Sequence, residues 1–335
     1  MKFTTDLKST IDWNDGAVVL VDQTRLPHEH VVLRLETVDS LVEAIQRLRV
    51  RGAPALGVAG ALGVALAAKQ FEGERERAQA VQLLRTARPT AVNLARGAQR
   101  AAALLPSFDA VLAEALRIRD EEIASSGSMA RRGADLVQKL CGDSPRLLTH
   151  CNTGGLATVV DGTALAVVFE LHRRGRLGGV VASETRPLLQ GARLTTWELR
   201  RAGVPHRLAV DSAGPFLMAR GEVDAVILGA DRICANGDVV NKIGSYAHAL
   251  GARAAGIPFI CVAPESTVDL GTASGADVEI EDRGAAEVAG STAPEGTDAV
   301  NPAFDVTPAE LVTAVVTDAR TFSGRADGPD GLAVG

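Results

Sequence analysis

Two side chains in this sequence stand where reaction chemistry is commonly placed. The apolar stretch Leu147–Thr149 runs into His150-Cys151-Asn152-Thr153-Gly154-Gly155 and then into a helix pattern. Small residues at a helix start let backbone N–H groups face an anion such as a phosphate. The same position favours a thiolate. Cys151 is therefore either a candidate reactive thiol or a small buried hydrophobe, the commoner fate of a free cysteine. The second side chain is Asp231. It stands in Ala230-Asp231-Arg232 after the apolar run Ala225 to Gly229. A carboxylate with apolar flanks can hold its proton at neutral pH and act as a general acid. The alternative is a helix cap or a partner for Arg232.

Weaker candidates surround these two. Asn241-Lys242 opens a helix pattern, where an amide and an ammonium suit a phosphate or a sugar hydroxyl; a lone lysine equally reads as solvated surface. Arg51-Gly52-Ala53-Pro54 is either an anion-binding turn, its glycine allowing close backbone approach, or a joint between helices. Glu184-Thr185-Arg186-Pro187 and Gln190 end another strand, and Arg186 could simply pair with Glu184. Asp238 belongs to the turn Asn236-Gly237-Asp238.

Other chemistries lack their signatures. His28, His30, His172, His206 and His248 share no spacing that fits a metal or a triad. Cys141, Cys151, Cys234 and Cys261 form no C-x-x-C pair and no zinc pattern. There is no G-x-S-x-G elbow, no P-loop and no G-x-G-x-x-G after a strand. The expectation is a protein without a metal or other cofactor.

These residues need a scaffold to position them. Val18 to Asp22 and Val31 to Leu35 read as short strands around Leu26-Pro27. Helix patterns follow over Ser40 to Val50, from about Pro54, over Glu74 to Thr86, over Asn93 to Leu105, and over Asp109 to Leu140. After Cys141 the pattern changes. Strands are expected at Arg146 to Thr149, Gly179 to Ser183, His206 to Val210, Ala225 to Gly229 and Phe259 to Ala263. Helices are expected between them at Gly162 to Arg174, Gln190 to Ala202, Ala213 to Arg220 and Asn241 to Ala255. Such alternation implies a doubly wound parallel sheet, with ligands at the carboxyl ends of its strands. The polar turns lie at those ends and should converge on one site. The expected division is a mainly helical domain with a small β element at 1–130, a Rossmann-like domain at 131–322, and a disordered tail at 323–335.

Composition narrows the class. Hydrophobic residues make up 46% and charged residues 23%, as in globular chains. A formal charge of -6, with both signs interspersed, argues against a nucleic-acid binder. No charged start followed by an apolar run opens the sequence, so no secretory signal is expected. The most apolar early stretch, Ala53 to Ala68, is short for a membrane span and reads as a buried helix. A cytoplasmic protein with reduced cysteines is the expectation.

Several ordered runs together resemble the methylthioribose-1-phosphate isomerase family, which is related to the regulatory subunits of translation initiation factor 2B. They are Asp22-Gln23 with Leu26-Pro27, Val50-Arg51-Gly52-Ala53-Pro54-Ala55, Arg88-Pro89-Thr90 with Asn93-Leu94, and Thr149-His150-Cys151-Asn152-Thr153-Gly154. Further along come Glu184-Thr185-Arg186-Pro187 with Gln190-Gly191, Gly229-Ala230-Asp231-Arg232-Ile233, Ala235-Asn236-Gly237-Asp238 with Asn241-Lys242-Ile243-Gly244, and Asn301-Pro302-Ala303-Phe304-Asp305-Val306-Thr307-Pro308. The resemblance covers about residues 10 to 320. The sequence departs from the family pattern at Gly155, where many relatives carry Ala, at Val159-Val160-Asp161, and at Cys234.

The resemblance implies a homodimer acting on a small-molecule sugar phosphate, with a helical N-terminal and a Rossmann-like C-terminal domain. It implies that Cys151 and Asp231 are the catalytic pair, and that Arg51, Gly52, Ala53, Arg88, Gln190, Asn241 and Lys242 bind substrate. The implied reaction is aldose-to-ketose isomerisation of 5-methylthioribose 1-phosphate in methionine salvage. The alternatives are the same reaction on 5-deoxyribose 1-phosphate or ribose 1,5-bisphosphate, or a non-catalytic regulatory relative. Related initiation-factor subunits lack the Cys and Asp together, which favours the enzyme.

Overall fold

The computed structural model describes residues 9–89, 91–290 and 293–323. The chain forms two compact units. One runs to residue 124 and includes 154–162; the other comprises 125–153 and the chain from 163 onward. The first boundary falls inside a long helix. The segment 154–162 is an excursion that a single division near residue 130 does not contain.

In the first unit, strands β1 (Ile11–Asn14), β2 (Ala17–Val21) and β3 (Val32–Leu35) form an antiparallel sheet in that order. Strand β1 was not anticipated. Its signal is Asp15-Gly16, a two-residue turn with φ of 45° and 79° that matches the twist of a hairpin. Helices α1 (Val38–Gln46), α2 (Ala53–Gln70), α3 (Glu74–Thr86) and α4 (Val92–Ala102) follow, and then the first half of α5 (Phe108–Cys141). A capping box between Thr37 and Ser40 opens α1.

Helix α2 is the axis of this unit. It is buried from Pro54 to Ala67 and has no polar face. By length and composition it could cross a membrane, contrary to the expectation that this stretch is too short, but 78% of it is buried within the protein. Small residues let α4 lie directly on it: a methyl at Gly97 would stand 2.0 Å from the Gly57 carbonyl oxygen.

The excursion 154–162 is fastened within this unit. Thr10 donates its N–H to Val159 O (2.8 Å) and its hydroxyl to Gly155 O (2.8 Å). A methyl at Gly155 would lie 1.6 Å from Val160 O. The departures at Gly155 and at Val159-Val160 are thus one feature, because the turn made by the valines leaves no room for alanine at 155.

The second unit takes the rest of α5, then β4 (Arg146–Thr149), α6 (Ala164–Arg173), β5 (Gly179–Ser183), α7 (Thr196–Arg201), β6 (His206–Ala209), α8 (Ala213–Ala219) and β7 (Ala225–Leu228). It continues with β8 (Arg232–Cys234), β9 (Val239–Lys242), α9 (Ser245–Ala255), β10 (Phe259–Val262), β11 (Val268–Asp269), α10 (Ala286–Ala289), β12 (Phe304–Thr307), β13 (Ala314–Val316) and β14 (Thr321–Phe322). The main sheet has the order β14-β13-β10-β7-β4-β5-β6 and is parallel except at β14.

Burial on both faces explains why its strands read as unbroken apolar runs. Leu147, Val180, Ile227 and Ile260 point into a core shared with Met129, Val137 and Leu165 of α5 and α6. Their neighbours Leu148, Val181, Val226 and Cys261 point into the opposite core, with Met218, Ala249 and Ala252 of α8 and α9. This is the doubly wound α/β architecture that the alternation implied.

Two expectations are corrected. A second sheet, β11-β8-β9-β12, was not foreseen. Its strands are two to four residues long, and β9 pairs with β12 far away in sequence, so no local periodicity marks it. Asn241 and Lys242 accordingly end a strand and do not open a helix; α9 begins at Ser245. Of the loop expected at Ser291 to Asp298, residues 291 and 292 lie outside the described residues, as does the expected tail beyond Ser323.

Leu66, fully buried in α2, tests the first core. Leu66→Ala should lower unfolding stability by about 3 kcal/mol, read from the midpoint shift in urea denaturation. An unchanged midpoint would show that α2 does not carry that core.

Candidate active site

The order of the main sheet locates the site. From β4 the chain moves outward through β5 and β6, then returns to place β7 on the other side of β4. The carboxyl ends of β4 and β7 thus flank the point where winding reverses, the crevice in which such sheets bind ligands. Cys151 follows β4 and Asp231 follows β7. The two loops approach closely: a methyl at Gly229 would lie 3.0 Å from Thr153 Cγ2 and 3.4 Å from Thr163 Oγ1.

Cys151 is half-buried and has φ of 62°, a left-handed conformation that costs a non-glycine residue about 1–3 kcal/mol. Hydrogen bonds hold it there. Its N–H donates to Thr185 Oγ1 (2.8 Å), and its carbonyl accepts from Thr195 Oγ1 (2.6 Å). Thr185, itself at φ 64°, and Arg186 donate their N–H groups to the two carboxylate oxygens of Asp211, each at 2.7 Å. Helix α6 begins only at Ala164, but Thr163 N–H bonds Thr153 O (2.8 Å), so the start of α6 lies beside the cysteine turn.

Asp231 differs from expectation in being solvent-exposed, not enclosed by its apolar neighbours. Its N–H donates to Val240 O (2.9 Å), which ties the β7 loop to the second sheet. Arg232 turns away to Thr272 (3.1 Å) and Asp269 (3.5 Å). Burial, with a smaller contribution from the Asp231 charge, pushes the nearby Cys261 thiol up to about 12. Cys261 is therefore an inert core residue.

The remaining expected residues of this unit fall on adjoining loops. Gln190 is only 6% exposed, and its buried Oε1 has no hydrogen-bond partner. Asn241 donates to Ser245 Oγ (2.8 Å). Lys242 Nζ donates to Ala303 O (2.7 Å) and sits 4.6 Å from the centre of the Phe304 ring, which leaves further N–H groups of the ammonium for a ligand. Asn152 Oδ1 and the hydroxyls of Thr149 and Thr153 are also buried without partners.

The first unit holds the other group. Arg51 precedes α2, and its buried Nε and Nη2 have no protein partner, an arrangement that an oxyanion completes. Gly52 is irreplaceable there, with φ of 99° and room for a Cβ denied by Ala157 O at 2.0 Å. Ala53 is the first residue of α2. Arg88 lies in the link between α3 and α4. Among the described residues, no group of three His, Cys, Asp or Glu side chains is gathered for a metal.

Sequence reasoning passed over the residues that hold the site. His150 is fully buried, with Nδ1 2.5 Å from Ser183 Oγ and Nε2 2.7 Å from Ile243 O. Asp305 receives the N–H groups of Gly244 (2.7 Å) and Tyr246. The only available signal was placement, since Ser183 and Asp211 each follow or end a parallel strand.

A doubly wound α/β unit with a thiol and a carboxylate at its winding reversal has the layout of a small-molecule enzyme. The chain belongs to the Initiation factor 2 subunit family, whose pattern matches residues 49–322. It is 54% identical over 328 residues to a Nocardia farcinica protein named a probable bifunctional methylthioribose-1-phosphate isomerase/methylthioribulose-1-phosphate dehydratase; the match covers 94% of this chain but 59% of that protein. It is 50% identical to the 5-deoxyribose 1-phosphate isomerase of Moorella thermoacetica, over 92% of each chain. The crystal structure of 5-methylthioribose 1-phosphate isomerase from Pyrococcus horikoshii OT3 matches with a TM-score of 0.89 and 39% identity, covering 95% of this chain and 93% of that one.

Burial also gives the fold a pH signature. It drives the His150 imidazole down from 6.5 to about 4, and that of His248 to about 3. Below 6.5 the unfolded chain binds protons that these folded residues refuse, so stability is full above 6.5 and falls toward pH 4. Asp305, raised by burial to about 6, works the other way, gaining stability as pH falls through 6, but it is one group against two. The melting temperature should drop between pH 6.5 and 4, and His248→Leu should make that drop shallower. Parallel curves for wild type and variant would exclude His248 as a source.

Proposed function

We propose that this protein is an aldose–ketose isomerase of methionine salvage that converts 5-methylthioribose 1-phosphate to 5-methylthioribulose 1-phosphate. The observation that carries the reading is the placement of Cys151 and Asp231 on neighbouring strand ends at the winding reversal. The named relatives supply the substrate class. We assign catalysis to the Rossmann-like domain, 131–322, and the binding residues Arg51, Gly52, Ala53 and Arg88 to the helical domain, 1–130.

The chemistry requires such a pair. A sugar locked as its 1-phosphate cannot open spontaneously to an aldehyde. Asp231, as general acid, protonates the ring oxygen while the ring C–O bond breaks. Hydrogen then moves from C2 to C1, and the C2 hydroxyl loses its proton to become the ketone. C1 is reduced and C2 oxidised, so no external redox partner is needed. In one route a Cys151 thiolate carries the hydrogen as a proton. In the other it shifts as a hydride, with Cys151 stabilising the cationic intermediate in a site that excludes water. Substrate deuterated at C2 separates the routes: washout marks the first and full retention at C1 the second. In the second unit Lys242 suits the phosphate and Gln190 and Asn241 suit sugar hydroxyls; in the first, Arg51 suits an oxyanion.

A second substrate has specific support in the Moorella thermoacetica relative, a 5-deoxyribose 1-phosphate isomerase. Turnover of the two sugar phosphates by purified protein decides between them, and ketose formation from neither would end the isomerase reading. Cys151→Ser and Asp231→Asn should each lower kcat by about 10²–10⁴-fold with little change in ligand binding. Near-normal turnover of either variant would remove that residue from the chemistry.

We further assign a cytoplasmic location, which suits four free cysteines, and a homodimer. The α8/α9 pair exposes Phe216, Tyr246 and Leu250, and strand β6 and the residue after it expose Leu208 and Val210, apolar side chains that a second copy would cover. Light scattering should give twice the chain mass, and Phe216→Glu should halve it. A dimer that survives the substitution would place the interface elsewhere.

A further inference from the structure

The imidazole beneath the cysteine turn has no part in the isomerisation chemistry, yet it joins three loops of the site. A carbonyl oxygen only accepts, so the Nε2 contact with Ile243 O requires the proton on Nε2. Nδ1 is then an acceptor for the Ser183 hydroxyl. His150 thereby links the end of β4 to the end of β5 and to the turn between β9 and α9. That turn is moulded to the ring: Gly244 has φ of 106°, and a methyl there would lie 2.9 Å from Cε1 and 3.0 Å from Nε2 of His150. Asp305 pins the same turn from its other side through the Gly244 N–H. The residue after His150 is Cys151 in its left-handed conformation, and the residue before Ile243 is Lys242. His248 packs edge-on, with ring centres 5.0 Å apart, and its own nitrogens bond nothing.

We propose that His150 is a positioning residue whose two ring hydrogen bonds clamp the Cys151 turn to the turn after Lys242, so that the thiol and the ammonium keep a fixed spacing. The roles of Cys151 and Lys242 rest on the isomerase reading; the clamp itself does not.

The test compares His150→Asn, His150→Gln and His248→Leu. Asparagine reaches the Nδ1 position and loses the bond to Ile243. Glutamine reaches the Nε2 position and can keep it. Leucine at 248 changes packing against the ring and removes no hydrogen bond. His150→Asn should lower kcat/KM on the order of 100-fold, as expected for a misplaced catalytic group, while His150→Gln recovers about tenfold of that and His248→Leu stays near wild type. Independently, iodoacetamide should alkylate Cys151 several-fold faster in His150→Asn than in wild type, with Cys141 unchanged, both mapped by mass spectrometry. Wild-type kinetics and alkylation in His150→Asn would overturn the proposal. So would equal damage by all three variants, which would mean bulk packing. If wild type turns over no sugar phosphate, the isomerase reading fails and the alkylation ratio still decides the clamp. If His150→Asn does not fold, Ser183→Ala removes the Nδ1 partner together with one long contact to Thr149 O (3.4 Å). A several-fold change in Cys151 alkylation then supports the clamp, and an unchanged rate overturns it.

Discussion

Everything in the second unit depends on β4 being buried on both faces. Leu147 and Leu148 point into opposite cores, so helices must cover each side and the chain must wind outward from β4 in both directions. A strand at that position has neighbours whose connections leave toward opposite faces, which opens a crevice at its carboxyl end. The location of Cys151 is a consequence of hydrophobic burial several residues earlier. The same burial makes the loop after Thr149 satisfy its backbone groups locally, because no solvent reaches behind it.

Local satisfaction explains the density of side-chain to backbone bonds there. Thr185, Thr195 and Asp211 take up N–H and C=O groups that an irregular turn would otherwise leave buried and unpaired, each omission costing about 1–3 kcal/mol. The positive φ at Cys151, Thr185 and Leu189 is tolerated because these bonds over-determine the turns. Strain of this kind keeps a thiol aimed in one direction, which a relaxed loop would not do.

The architecture was legible in the sequence wherever burial wrote a period. Glu74–Thr86, Arg146–Thr149 and Gly179–Ser183 were bounded correctly because apolar runs and their turn residues coincide with the elements. The second sheet was not legible. Its strands are too short to show alternation, and β9 meets β12 only after the intervening chain has folded. For that reason Asn241 and Lys242 were read onto a helix. Cys151 and Asp231 were visible as polar interruptions at strand ends. His150, Asp211 and Asp305 were not, since a histidine or aspartate gives no periodic signal and its importance lies in which loops it bonds.

The polar groups left unsatisfied are as informative as those that are paired. Among the described residues these include, in the second unit, Gln190 Oε1, Asn152 Oδ1, the hydroxyls of Thr149, Thr153 and Thr307 and the ring nitrogens of His248; in the first they include two nitrogens of Arg51. Folded proteins seldom leave such atoms buried and open. Each unit bears the desolvation cost of its own groups in the free chain: an oxyanion at Arg51 offsets it in the first, and hydrogen-bonding partners at Gln190 and its neighbours offset it in the second. Neighbouring groups that only need structure, such as Asp305 with its two N–H partners or Asp211 with its pair, are complete. The groups left open on the loops at the strand ends thus differ from the paired groups that hold those loops in place.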